Sequence, residues 1–88
     1  MNDKIVNYVK SHDIINRVFN MLEFYELIND SFIKNSIGKR LVSDIEFVEL
    51  LASFFYRKTK DKKNSVDLQI NLVNLINDLD YLKQYLDA

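Results

Sequence analysis

His12 is the only histidine of this 88-residue chain, and there is no cysteine. An imidazole works as a general base only with a partner that orients it and a proton within reach. His12 lies between Ser11 and Asp13 at a helix junction, where a local hydrogen bond or solvent accounts for it better. The carboxylates come in pairs. Glu23 with Glu26, and Glu46 with Glu49, stand three residues apart, so each pair shares a helical face. Helical bundles hold metals with such carboxylates together with a Glu-x-x-His element, and no histidine here completes one. Asp78 and Asp80 are two apart and diverge on a helix. The single glycine, Gly38, excludes a glycine-rich phosphate loop, and the lack of cysteine excludes disulfides and thiolate metal sites. The expectation is a protein without catalytic residues, metal, cofactor or small-molecule substrate.

Charge is the second chemical resource. Residues 1–33 sum to −2, residues 34–63 to +4 and residues 64–88 to −3. The basic middle holds Lys34, Lys39, Arg40, Arg57, Lys58, Lys60, Lys62 and Lys63. Lys39, Arg40, Arg57, Lys58, Lys60, Lys62 and Lys63 would be the phosphate contacts of a small nucleic-acid-binding domain. The same cations also suit the negative ends of two helices and a solvated loop. A helix-turn-helix around Gly38 fails, because Lys34 and Asp44 stand where a small and an aliphatic residue are wanted. The net charge of −1 provides no long-range attraction to nucleic acid or membrane.

The elements that position these groups are all helical. No proline interrupts the chain, and apolar residues recur at 3-4 spacing over most of it. The pattern predicts one all-α domain over residues 1–88: three long helices (about 13–29, 43–58 and 65–87) in an antiparallel bundle, and two short ones (about 3–11 and 31–37). Gly38 is expected to end the 31–37 helix as a left-handed C-terminal residue. Ser43-Asp44-Ile45-Glu46 reads as a capping box flanked by Val42 and Phe47. The 43–58 helix, apolar over most of its circumference, is expected to be the most buried. Leu68, Leu72, Leu75, Leu79, Leu82 and Leu86 form a seam along the last helix, too short for a coiled coil and suited to docking on its neighbours. The longest apolar run, Leu50 to Tyr56, is far short of a membrane span. With no signal peptide visible in Met1 to Lys10, a cytoplasmic location is expected.

Two surfaces are left over. Val66, Ile70, Val73 and Tyr81, with Asn77 among them, project opposite the leucine seam, where a peripheral helix should be polar. Either the helix at 3–11 or that at 31–37 folds over this face, or a protein partner or second copy does. Phe24 and Leu27 project into the polar side of the 13–29 helix, near Phe32, and form a second candidate patch.

The run Ile15-Asn16-Arg17-Val18-Phe19-Asn20-Met21-Leu22-Glu23-Phe24 resembles a helical stretch of the immunity proteins of pediocin-like bacteriocins. The resemblance covers ten residues, nearer the N-terminus than in that family. It implies a small cytosolic four-helix bundle that binds another protein, and assigns no residue a role. The expected function is that of a non-enzymatic helical interaction protein: a small inhibitor, antitoxin, immunity protein or assembly factor of the kind phages and mobile elements carry. It would bind a protein partner or form a homodimer through Val66, Ile70, Val73 and Tyr81, with Phe24 and Leu27 second. Nucleic-acid binding is the alternative, and no membrane contact is expected.

Overall fold

The computed structural model describes residues 2–87 as five helices. They are α1 (Asp3–Ser11), α2 (Ile14–Phe24), α3 (Ile33–Leu41), α4 (Ile45–Lys58) and α5 (Val66–Asp87), with no strand among the described residues. The all-α bundle is thus present, elongated to 40 × 27 × 22 Å by the α4–α5 hairpin. α1 and α2 pack on α5 and on each other, and α3 bridges α2 and α4. Leu72, Leu75, Leu79 and Leu82 of the predicted seam are essentially fully buried, together with Ile14, Val18, Leu41, Val48 and Phe55. The seam is therefore the chain's own docking line.

α2 stops at Phe24, five residues before the predicted end, so α4 and α5 are the two long helices. Glu26 is left-handed (φ 60°). Its N–H donates to the Glu23 carbonyl at 2.9 Å, and the Leu27 N–H folds back to the Leu22 carbonyl at 3.0 Å. This is the Schellman closure that normally recruits glycine. Apolar periodicity continues past it, but Tyr25 and Ile28 now reach the core from a turn.

α3 is displaced in the opposite sense. It runs through Gly38, which is helical, to Leu41. Gly38 does not terminate the helix; it lets α3 approach α2. A Cβ at this position would lie 3.0 Å from Ile15 Cδ1. The contact is with the tip of a single side chain, which would have to shift to admit a larger residue.

The start of α4 is capped by Asp44, whose Oδ1 accepts from the Phe47 N–H at 3.1 Å. The Ser43 hydroxyl faces backwards and donates to the Lys39 carbonyl at 2.6 Å, closing α3. The predicted Ser43–Glu46 box is therefore replaced by a division of labour between adjacent residues. Nor is α4 the most buried helix. Val48, Leu51 and Phe55 are buried, but Leu50 and Tyr56 are exposed. At the next junction, the Asn64 amide donates to the Lys58 carbonyl at 2.9 Å, and the Ser65 hydroxyl caps α5 by accepting from the Leu68 N–H.

Candidate partner-binding surface

The titratable side chains with the closest mutual contacts gather where α1, α2 and α5 meet. Asp78 accepts the Tyr8 hydroxyl at 3.0 Å and Arg17 Nη1 at 2.6 Å, and the same Arg17 nitrogen donates to the His12 carbonyl at 2.9 Å. Tyr8 stacks on His12 with ring centroids 4.1 Å apart and leans on Tyr81 at 4.9 Å. Burial, reinforced by the hydrogen bond to Asp78, pushes the Tyr8 hydroxyl up to about 12, so it stays a donor. His12 Nδ1 lies 3.1 Å from both the Ser11 hydroxyl and the Tyr8 carbonyl, an arrangement local to the end of α1. These contacts clip three helices together, and each polar group is spent on another. Among the described residues no group of three or more His, Asp or Glu side chains could hold a metal ion. Glu23, Glu26, Glu46 and Glu49 are all exposed.

On the outer face of α5, Tyr81 touches Tyr8 of α1 and Tyr85 on its own helix, yet it stays 46% exposed, as the sequence pattern predicts. The N-terminal half is open as well: Val66, Ile70 and Val73 are 75%, 51% and 42% exposed. Asn77 is exposed on the same face. Val66 and Ile70 form one wall of a shallow depression of about 370 Å³ whose other wall is the Thr59–Ser65 loop.

The second patch is larger than the spacing of Phe24 and Leu27 suggested. Phe24 (61% exposed), Leu27 (56%), Phe32 (87%) and Ile33 (38%) all come from the α2–α3 corner. Phe24 also lines a groove with Met21, Leu68 and Leu75, on the side of α5 where α2 packs. The two patches therefore lie on different sides of α5 and do not merge. Ile33 is the member of this patch that the sequence pattern did not place there.

The basic residues form two groups at opposite ends of α4. Lys39 and Arg40 close α3, next to the start of α4, whereas Arg57, Lys58, Lys60, Lys62 and Lys63 lie at or beyond its other end. A 14-residue helix holds these groups about 21 Å apart. Several are engaged: Arg40 bonds Asp44 and lies over the Phe47 ring, Lys58 over Tyr25 and Phe54, and Lys60 over Tyr56. Arg57 shares a groove with Glu49 and Asp80. No helix of the described residues is long and apolar enough to cross a membrane.

Comparison of the chain with protein-family models, curated proteins and solved structures gives no match.

Proposed function

We propose that this chain is a non-enzymatic interaction protein that acts by docking the outer face of α5 on a protein partner or on a second copy of itself. An inhibitor, antitoxin, immunity protein or assembly factor would work in this way. One observation supports the reading above the others. Val66, Ile70 and Val73 stand on successive turns of α5, exposed, while Leu72, Leu75, Leu79 and Leu82 on the inner face are sealed. A helix with one face already satisfied has no folding reason to be apolar on the other. Clustered exposed aliphatic side chains are what interfaces use, and a few such anchors dominate helix-face affinity.

The test uses Ile70→Asp and Val73→Asp in the full chain. As surface changes they should move the melting temperature by less than about 4 °C. They should also abolish a dimer seen by light scattering, or remove a band retained from native-host extract by the unaltered chain. A strict monomer whose variants melt well below that limit would put these side chains in the core and end the proposal. So would retention of identical partners by the unaltered and altered chains.

A further inference from the structure

We infer that the α2–α3 corner is a second docking surface, independent of α5, and that its occupant is a cationic amphipathic segment of a partner protein. The corner contains two residues that local folding would not select. Glu26 occupies a left-handed position that favours glycine, and Phe32 occupies the N-cap of α3, where Ser, Asp or Asn would bond the first turn. Phe32 makes no cap bond and is the most exposed large apolar residue among those described. Neither side chain serves the helix end it occupies.

What they build instead is chemically consistent. Glu23, Glu26, Leu27, Ile28 and Asn29 line a groove of about 450 Å³. Phe24, which lines the separate groove against α5, and Phe32 are exposed at the same α2–α3 corner and do not line this groove. Between Arg17 and Lys34 the only charges are Glu23, Glu26 and Asp30, all negative. None of these carboxylates enters an ion pair among the described residues, where Arg17 is paired to Asp78 and Lys34 lies over the Phe19 ring. A corner that combines exposed apolar side chains (Phe24, Leu27, Phe32 and Ile33) with carboxylates outside any ion pair matches a segment that presents Lys or Arg beside Leu or Phe. It repels nucleic acid and anionic lipid, which share its sign.

The experiment is fluorescence anisotropy with the full chain and a labelled peptide of roughly 18 residues, Leu and Lys in amphipathic helical order, at low salt. Micromolar binding is expected. Glu23→Lys combined with Glu26→Lys should weaken it at least about tenfold, as should Phe32→Ser, with the melting temperature not lowered in either and raised in the second by the new N-cap. Ile70→Asp should bind as the unaltered chain does, which separates this surface from the α5 proposal. The inference is overturned if the peptide does not bind, or if a Leu/Glu peptide binds equally well. It is also overturned if neither variant weakens binding, or if the corner proves to be the contact of a dimer that Phe32→Ser dissolves.

Discussion

Raising the pH should cost the protein stability at Tyr8, because the clip holds a proton that the unfolded chain gives up. In the native chain the Tyr8 hydroxyl titrates near 12 because burial and its bond to Asp78 oppose ionisation; in the unfolded chain it titrates near its ordinary 10.0. Between those values the unfolded state releases the proton and the native state keeps it. Stability therefore falls as pH rises, and is unaffected by Tyr8 below about pH 9. At pH 11 two pKa units of difference correspond to about 1.4 kcal/mol, which solvent reaching the ring edge reduces to about 1 kcal/mol. The comparison is with Tyr8→Phe, which keeps the stacking on His12 and Tyr81 and removes only the hydroxyl. At pH 7 the variant should be less stable by about 0.5–1.5 kcal/mol, the usual worth of one hydrogen bond. By pH 11 the gap should close by about 1 kcal/mol, because only the unaltered chain carries the alkaline loss from Tyr8. Tyr25 and Tyr85, also raised, titrate in both proteins and cancel. Urea unfolding followed by circular dichroism at pH 7, 9, 10 and 11 measures the gap directly. Parallel stability curves for the two proteins would mean that the Tyr8 hydroxyl does not hold its proton against Asp78, and the clip would be wrong.

Three further substitutions probe the helix ends and the core. Glu26→Gly should stabilise the chain by about 0.5–1 kcal/mol, seen as a higher urea midpoint, because glycine takes the left-handed position freely; a lower midpoint would contradict the closure of α2. Asp44→Ala should lower the midpoint more than Ser43→Ala, since Asp44 caps α4. The bond from the Phe47 N–H, helped by Arg40, holds the Asp44 carboxyl below its ordinary range. Its contribution should therefore be complete above the ordinary carboxylate pKa and disappear as pH falls through the lowered one; equal effects of the two substitutions would restore the Ser43 capping box. Tyr25→Phe should match or exceed the unaltered chain, by up to about 1 kcal/mol, because the Tyr25 hydroxyl is buried without a hydrogen-bond partner among the described residues. A clear loss in thermal melts would show that the hydroxyl is satisfied.

Periodicity carried most of the architecture. The ranges 3–11 and 43–58, the helix over the last third of the chain and its leucine seam were all legible, since each depends on residues within a turn or two of one another. The departures have different causes. At Gly38 a contact distant in sequence replaces the expected helix end, whereas at Ser43 and after Phe24 one local bonding pattern replaces another. Ile15 needed the space at Gly38, the Lys39 carbonyl took the Ser43 hydroxyl, and the fold turned at Glu26 although that residue is not glycine. The candidate surfaces were legible in part. Val66, Ile70, Val73 and Tyr81 follow from projection around one helix, whereas the contact of Tyr81 with Tyr8 required the position of α1, and the pattern did not place Ile33.

By itself, then, the order of residues determined that this protein is helical, that it has one leucine-lined docking seam, and that it carries apolar side chains beyond that seam. These are properties of a repeat of 3.6 residues, and they hold wherever the helices lie. Which of the surplus side chains are covered was decided only in three dimensions. α1 meets α5 at Tyr81, which keeps a ring contact with Tyr8 while remaining 46% exposed, and α2 ends early enough to leave Phe24, Leu27 and Phe32 in solvent. Such outcomes depend on where one helix meets another, and that is set by the fit of distant side chains, not by any neighbour in the chain.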